Sequence, residues 1–243
     1  MLNISIVLYK TSVAKLMPIL EELYSIPLLN RIYLVDNSPK FSDELALLPL
    51  PVVYIFNNAN LGFGRAHNIA IRESVYDEIA YHLVIHPDVE VKAEDVVMLV
   101  NFMDQHHEVG QLIPRVVDEN GELQYVAQNL PTPLDIIWKR EKVKSDYDWP
   151  MNMPNLSGCF MLLRMEAVLQ ARLFDERYFM CFDDIDLTRT IHREWLTLYL
   201  PIVTIIHHRA KKSRRSLRDW WVHIVDMCRY FNKWGWFVNR GMI

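Results

Sequence analysis

A cluster of acidic and basic side chains between residues 178 and 195 has the composition of an acid/base site. The segment YFMCFDDIDLTRTIHREW places Asp183, Asp184 and Asp186 within four positions. A carboxylate held beside a nucleotide diphosphate could act as general base on an acceptor hydroxyl. Acidic residues in a first helical turn also stabilise the helix dipole, with no catalytic role. Successive helical residues are about 100° apart, so only one or two of these carboxylates would face a site.

Two further acidic residues follow strand-like segments. Asp36 in VDNSPK could accept hydrogen bonds from a nucleobase or ribose, although Asp-Asn-Ser-Pro is also common turn chemistry. Asp88 in HPDVEV could bind Mg²⁺ or Mn²⁺, because hard cations prefer carboxylate and phosphate oxygens. The histidines at 207 and 208 follow another apolar run, and either could complete a cation site with Asp88 or lie in a loop.

The stretch NNANLGFGRAHNIAI, residues 57–71, is a glycine-containing entry to a predicted helix. Backbone amides and the dipole at such a helix start favour a phosphate group. Position 67 is histidine, so the GxGxxG fingerprint is absent, and the stretch does not follow the first strand. These differences argue against a nicotinamide-dinucleotide enzyme.

The elements around these residues alternate between apolar runs and helical periodicity, which predicts an α/β fold with a parallel sheet covered on both faces. Ligands bind to such sheets at the carboxyl ends of the strands, where the polar residues named above are found. The second half is less regular, with residues 118–155 rich in loops. The predicted strands are 4–9, 31–36, 51–56, 79–86, 109–117, 158–164 and 197–206, the last being one or two strands broken at Pro201. The predicted helices are 12–24, 64–74, 93–106, 165–171, a helix of about ten residues that begins at the acidic cluster, and 217–234.

Composition excludes several classes of protein. A 243-residue chain with 51% hydrophobic residues can bury a sizeable core. The formal charge of -4 argues against a nucleic-acid binder. Three scattered cysteines predict no disulfide framework and favour a reducing cytoplasm. The start lacks a signal-peptide pattern, and no apolar run approaches the ~18 residues of a spanning helix, so we expect a soluble or peripheral protein.

The C-terminal segment combines basic and aromatic residues. RAKKSRRSLR, residues 209–218, holds six basic residues and no acid, and aromatic side chains follow as far as residue 237. This composition fits a helix that lies on an anionic membrane surface through residues 209–237. A helix packed on the core with a solvated basic edge fits equally well, and both interpretations remain open.

The order of the motifs is more specific than any one of them. The chain presents VDNS, then NLGFGRAHN, HPDV, SGCFMLLR, FDERYFMCFDDIDL, HH and RYFNKWG. This order resembles the family 2 inverting glycosyltransferases, most closely their rhamnosyltransferase-like branch. The resemblance implies the GT-A fold, with a mostly parallel central sheet flanked by helices and a C-terminal amphipathic helix. Residues 1–117 would form the donor-binding half, 118–208 the acceptor and catalytic half, and 209–243 an extension.

By this resemblance, Asp184 is the expected base, supported by Asp183 and Asp186. Asp88 corresponds to the last acid of the metal motif, and His207 to the C-terminal metal ligand, with His208 as its rival.

The same resemblance assigns a donor site. Asp36 would contact the nucleotide base, and Ser157 and Gly158 would lie near the donor sugar and the acceptor. The remaining implied donor-binding residues, in and after the glycine-containing stretch, are Asn60, Gly62 and Asn68.

The implied activity is transfer of a sugar, with rhamnose as the candidate, from a nucleotide-diphosphate donor to a hydroxyl of a lipid-linked or oligosaccharide acceptor. The implied setting is bacterial surface polysaccharide synthesis (O-antigen or capsule) at the cytoplasmic face of the plasma membrane, with Mg²⁺ or Mn²⁺ as cofactor. His86 stands where Asn or Asp is usual, which leaves one acid in the metal motif.

Because the metal motif contains only one acid, a non-catalytic protein that binds nucleotide sugars or acts as a scaffold is the alternative interpretation. A nucleotidyltransferase is disfavoured, because LYKTSVAK after the first strand contains no glycine.

Overall fold

The computed structural model describes residues 1–137, 147–208 and 217–236. Strands and helices alternate through residue 117, as the periodicity predicts, and shorter elements follow. The strands are β1 (Leu2–Leu8), β2 (Leu29–Asp36), β3 (Val53–Phe56), β4 (Tyr81–Ile85), β5 (Val89–Glu90), β6 (Val109–Val117), β7 (Ala127–Gln128), β8 (Met151–Asn152), β9 (Asn155–Leu156), β10 (Phe160–Arg164) and β11 (Leu196–His207). The helices are α1 (Val13–Tyr24), α2 (Asp43–Ala46), α3 (Gly64–Tyr76), α4 (Ala93–Gln105), α5 (Pro133–Ile137), α6 (Met165–Gln170), α7 (Asp183–Ile191) and α8 (Leu217–Trp234).

One mixed sheet forms the centre of the fold, in the order β3-β2-β1-β4-β10-β6-β11-β5, with β8 paired to β11. Strands β1, β2, β3 and β4 run parallel, as do β6 and β11. Strand β10 is antiparallel to both of its neighbours, β4 and β6. An apolar run does not encode strand direction, so the sequence pattern did not predict this reversal. Because β10 lies between β4 and β6, the predicted donor and catalytic halves share one sheet.

Helices cover both faces of the sheet because its strands are apolar on both sides. Leu2, Ile4 and Ile6 of β1 join one core cluster with the buried faces of α1 and α4. Helices α3, α6 and α7 contribute to the clusters on the opposite face. There the hydroxyl of Ser5 lies 2.7 Å from Nδ1 of His67 and ties α3 to the central strand.

The sequence allows one or two strands here, and the predicted interruption at Pro201 is a register irregularity within a single strand. Strand β11 continues through Pro201, and its pairing with β6 shifts register between Leu200 and Thr204. A proline lacks the N–H that a regular ladder needs, so the irregularity accommodates it. The region 118–155 also contains short pieces of regular structure, namely β7, β8, α5 and part of β9, within its described residues.

Helix α8 packs on the loop before α7. Tyr230 and Phe231 of α8 are fully buried and form a cluster with Tyr178 and Phe182. The opposite face is open: Leu217 is 91% exposed and Trp221 is 68% exposed. Both predicted characters, core packing and an exposed aromatic surface, therefore occur on one helix. The basic run at 209–216 and the residues from 237 onwards lie outside the described residues.

Among the described residues, no helix is long and apolar enough to cross a membrane.

Candidate active site

The reversal of β10 brings two distant segments together at one edge of the sheet. Phe160, at the start of β10, pairs with Ile85, at the end of β4. The backbone N–H of His86 donates to the carbonyl of Cys159 at 3.0 Å. The segment 157–159 therefore lies beside the carboxyl end of β4, where Asp88 follows.

Asp184 is the partly exposed member of the acidic cluster. Its Oδ2 accepts a hydrogen bond from the Gly158 backbone N–H at 2.9 Å, and its Oδ1 accepts one from the Ile185 N–H at 2.8 Å. A Cβ at position 158 would lie 3.1 Å from the Phe63 ring and 3.2 Å from the Asp184 Cβ, so glycine permits this approach. Both carboxylate oxygens are therefore held by backbone donors, and the residue as a whole is partly exposed.

Asp183 faces the protein interior and is only 2% exposed. Its Oδ2 accepts from the N–H of Gly64, the first residue of α3, at 3.0 Å, and its Oδ1 accepts from the Asp184 N–H at 3.1 Å. Burial and then the charge of Asp184 raise the pKa of Asp183 to about 7. Burial also raises the pKa of Asp184. Through these two hydrogen bonds, Asp183 connects the start of α3 to the backbone of Asp184, the predicted base.

Asp186 binds α8 rather than the open site. Its Oδ1 accepts from the Trp234 indole N–H at 2.6 Å, and its Oδ2 pairs with Lys233 at 2.7 Å. Its side chain is 3% exposed. These contacts favour a structural role over the predicted support of catalysis.

The glycine-containing stretch packs directly on the loop that leads into α7. Gly62 has φ +87°, and a Cβ there would lie 1.9 Å from the Phe179 carbonyl oxygen. That carbonyl accepts from the Phe63 N–H at 2.9 Å. The Oδ1 of Asn60 accepts from the Gly62 N–H at 3.0 Å. Asn60 and Gly62 thus lie together in one fixed turn next to the base.

Asp36 is buried and anchors its own turn. Its Oδ1 accepts from the Ser38 N–H at 2.8 Å, and its Oδ2 accepts from the Tyr54 hydroxyl at 2.7 Å. Burial and then this hydrogen bond raise the pKa of Tyr54 to about 12. The predicted contact between Asp36 and a nucleobase stays a prediction.

Asn68 fastens α3 to the loop at 174–176. Its amide donates to the Phe174 carbonyl at 2.9 Å and to Glu176 at 3.0 Å, and its carbonyl oxygen accepts from the Phe174 N–H at 3.0 Å. All three contacts are internal and hold α3 against the loop at 174–176. They do not favour direct contact between Asn68 and a donor. Ser157, the last predicted donor residue, precedes Gly158 and donates its backbone N–H to the Val126 carbonyl at 2.8 Å.

His86, Asp88 and His207 form a cluster suited to a metal ion. One ligand atom from each residue lies within 4.8 Å of the others. Nε2 of His207 is 3.4 Å from Oδ1 of Asp88. That oxygen is buried and has no hydrogen-bond partner of normal geometry among the described residues. Two imidazoles and an orphaned carboxylate oxygen fit a divalent transition-metal ion such as Mn²⁺.

The surroundings shift the pKa values of the two histidines of this cluster in opposite directions. Burial lowers the pKa of His86 to about 4, although Asp88 opposes the shift. Burial also disfavours the charged form of His207, but the close approach of the Asp88 carboxylate and of Cys159 outweighs it and raises the pKa to about 9. Burial opposes ionisation of Asp88 as well, yet the contacts with His207 and His86 lower the pKa of its carboxyl. A bound cation would replace the proton of His207.

The structure distinguishes the two candidate histidines, of which His207 ends β11 and His208 follows it. His207 faces Asp88, whereas the side chain of His208 pairs with Glu90.

Sequence reasoning missed two residues of the site. His86 departs from the expected acid of the metal motif, yet the structure places it where it could offer a third ligand atom. Its place at a strand end and the frequency of histidine as a ligand are the signals in the sequence. Asn37 donates to the Gly62 carbonyl at 2.9 Å and accepts from Asn57 at 2.9 Å, which joins two strand-end turns.

Comparison with curated proteins finds rhamnosyltransferases. An N-acetylglucosaminyl-diphospho-decaprenol L-rhamnosyltransferase of Mycobacterium tuberculosis is 28% identical over 212 residues, covering 76% of this chain and 68% of that protein. The rhamnosyltransferase WbbL of Escherichia coli K12 is 26% identical over 200 residues, covering 74% of this chain and 73% of that protein.

Solved structures with the same fold are also glycosyltransferases. GalNAc-T7, solved with UDP, GalNAc and Mn²⁺, gives a TM-score of 0.69 at 16% identity, covering 95% of this chain and 47% of that protein. The mannosyltransferase PcManGT of Pyrobaculum calidifontis, solved with GDP-Man and Mn²⁺, gives 0.59 at 15% identity, covering 87% of this chain and 58% of that protein. Staphylococcus aureus TarS 1–349 with UDP-GlcNAc gives 0.63 at 13% identity, covering 95% of this chain and 66% of that protein.

These likenesses confirm the GT-A fold that the motif order implies. The family description "Glycosyl transferase family 2" matches residues 25–170, which is more than half of the chain. The chain therefore belongs to glycosyl transferase family 2 and is a glycosyltransferase.

Proposed function

We propose that the chain is an inverting rhamnosyltransferase that acts on a lipid-linked glycan during surface polysaccharide synthesis. The observation that carries this proposal is the position of Asp184. It is the partly exposed carboxylate of its cluster, and Gly158 joins it to the strand end that bears the His86–Asp88–His207 cluster.

The chemistry needs one base and no separate general acid, because a nucleoside diphosphate is already a good leaving group. Asp184 takes the proton of the acceptor hydroxyl as that oxygen attacks the anomeric carbon. The bond from this carbon to the diphosphate oxygen breaks, and the configuration inverts. Both carboxylate oxygens of Asp184 are oriented by backbone N–H donors, so the base is positioned before the acceptor binds.

A divalent cation held by His86, Asp88 and His207 would offset the negative charge of the diphosphate when bound. The turn at Asn60 and Gly62, with Asp36, Ser157 and Gly158, would hold the nucleotide sugar, and Asn68 would act only by fastening α3 to the loop at 174–176. The start of α3 favours an anionic group, and the Asp183 carboxylate already binds there through the Gly64 N–H.

The names of the curated relatives support the choice of sugar and acceptor. Both are rhamnosyltransferases, and the mycobacterial enzyme is named for a diphospho-decaprenol acceptor. We therefore place the site near the cytoplasmic leaflet, where a lipid-linked acceptor would be presented. The exposed aromatic face of α8, with Trp220, Trp221 and Ile224, fits contact with that surface.

The test is a transfer assay with nucleotide-diphosphate sugars, a diphospho-polyprenol-linked acceptor and Mn²⁺ or Mg²⁺. We expect release of the nucleoside diphosphate and a product rhamnoside of inverted anomeric configuration, assigned by NMR. Nucleotide-sugar binding without product, under every acceptor tested, would favour the non-catalytic binding protein.

A further inference from the structure

Asp226 is a buried carboxylate of α8 that the reaction scheme does not use. It is 0% exposed, although charged residues are rarely buried without a partner. Its Oδ2 accepts hydrogen bonds from three consecutive backbone N–H groups, those of Phe179 at 3.0 Å, Met180 at 3.1 Å and Cys181 at 3.2 Å. Its Oδ1 pairs with Arg229 at 3.0 Å. Three successive amides that converge on one oxygen form an anion-binding nest.

The segment held in this way, residues 179–181, touches both functional parts of the site. On one side, the Phe179 carbonyl accepts from the Phe63 N–H and lies against Gly62. On the other side, Phe182 takes a left-handed conformation with φ +67° and leads directly into Asp183. A shift of this segment would therefore move the donor turn and the start of α7 together.

The backbone conformation at Phe182 depends on contacts with α8. A left-handed phenylalanine is strained and persists only where surrounding contacts impose it. The burial of Phe182 against Tyr230 and Phe231 contributes to that constraint, and so does the nest on Asp226, which holds the preceding residue, Cys181. Both contributions come from α8.

We propose that Asp226 is a positioning residue, which fastens residues 179–181 so that the Asp184 carboxylate and the Gly62 turn are held in their reactive arrangement. This inference rests on the proposed transferase function for its kinetic test, and its structural test is independent of activity. Asp226 itself touches neither substrate.

Three variants separate the parts of this arrangement. Asp226→Leu removes every acceptor, Asp226→Asn retains one acceptor oxygen without the charge, and Arg229→Gln removes only the partner of Oδ1. Hydrogen–deuterium exchange of the folded proteins is the first measurement. We expect faster exchange at residues 179–181 and at the Phe63 amide in Asp226→Leu, a smaller change in Asp226→Asn, and wild-type exchange in Arg229→Gln. Unchanged exchange in both Asp226 variants overturns the proposal.

The kinetic measurement is kcat against pH with saturating donor and acceptor. A small displacement of a reacting group can cost about 10²-fold in rate. We therefore expect about that loss in Asp226→Leu, an intermediate loss in Asp226→Asn, and a kcat within about twofold of wild type in Arg229→Gln. The acid limb of the profile should also move to lower pH, since a loosened segment admits water to the carboxyl pair.

If the substitution only lowered the amount of folded protein, kcat would decrease by the same factor at every pH and the acid limb would not move. That result would contradict a positioning role for Asp226. A kcat within twofold of wild type in Asp226→Leu also contradicts it. Asp226→Asn provides the same readouts if the leucine variant does not fold. If the wild-type protein transfers no sugar at all, the proposed function fails, while the exchange result still decides whether Asp226 holds the segment.

Discussion

At the scale of single residues, the acidic cluster divides into three distinct roles. Asp184 is partly exposed, Asp183 binds the start of α3, and Asp186 binds α8. Spacing on a helix predicted that not all three could face one site. It did not tell which one would, because their partners, Gly64, Gly158 and Trp234, are distant in sequence.

The pH dependence of transfer should report the carboxyl pair. Burial raises the pKa values of both Asp183 and Asp184, with Asp183 at about 7, and the two groups titrate as a unit. The base must be ionised, so we expect kcat to fall as pH falls through the raised pKa of Asp184, above the ordinary range of aspartate. A kcat profile from pH 5 to 9 at saturating donor measures this; an acid limb near pH 4 would contradict the assignment.

The same shift has a stability consequence. A buried carboxyl with a raised folded-state pKa binds its proton more tightly in the folded than in the unfolded chain. The contribution of Asp183 to the free energy of unfolding should therefore decrease as pH rises from about 4 towards 7, and the difference between the wild-type protein and Asp183→Asn across this range measures it.

The metal cluster gives a second prediction at residue scale. His86→Ala should weaken Mn²⁺ binding by at least about tenfold, because one of three ligand atoms is removed. The binding should also tighten as pH rises towards 9, where His207 loses its proton. Calorimetric titration with Mn²⁺ measures both effects, with His208→Ala as the control, since His208 pairs with Glu90 instead. Equal affinities of the wild-type protein and His86→Ala would remove His86 from the site.

At the scale of elements, the donor turn depends on one close approach. Gly62→Ala introduces a Cβ 1.9 Å from a backbone oxygen in a left-handed conformation. We expect a loss of several kcal/mol in the free energy of unfolding, of which the conformation alone accounts for about 1–2 kcal/mol. Gly121→Ala is the matched control, because its φ of +81° is similar and its Cβ would meet nothing within 4 Å. Chemical denaturation of both variants tests this, and equal losses would refute the importance of the contact.

The elements themselves were largely predictable, and their pairing was not. Apolar runs and helical spacing located β1, β2, β4, β6, α1, α3 and α4 to within a few residues. The antiparallel insertion of β10 and the nest on Asp226 arise from contacts across the chain, which no local pattern encodes. The order of the motifs names Asp88 and His207, which the structure places in one cluster, and the assignment of Asp184 as the base stays a prediction. That order treats His86 only as a departure from the expected acid, whereas the structure places it in the same cluster.

At the scale of the whole molecule, α8 links the site to one exposed surface. Its buried face holds the segment before α7, and its other face exposes Trp220 and Trp221. Basic residues precede it in the sequence, which favours an anionic lipid surface.

Vesicle sedimentation tests this surface. The wild-type protein should pellet with anionic vesicles more than with zwitterionic ones, and salt should weaken the binding. Replacement of both Trp220 and Trp221 by serine should reduce the pelleted fraction severalfold. Tyr76→Ser is the control, because this aromatic residue on α3 is 85% exposed and lies on a different element. Equal pelleting of the tryptophan variant and the control would contradict a membrane role for α8.

The most direct test of the central claim is the turnover of Asp184→Asn. Asparagine keeps the size of the side chain and removes the base, and general-base action contributes about 10²–10⁴-fold. We predict a loss of at least about 10²-fold in kcat for rhamnosyl transfer, with nucleotide-sugar affinity close to wild type and normal activity of the exposed control Glu194→Gln. Near-normal turnover of Asp184→Asn would contradict its assignment as the base.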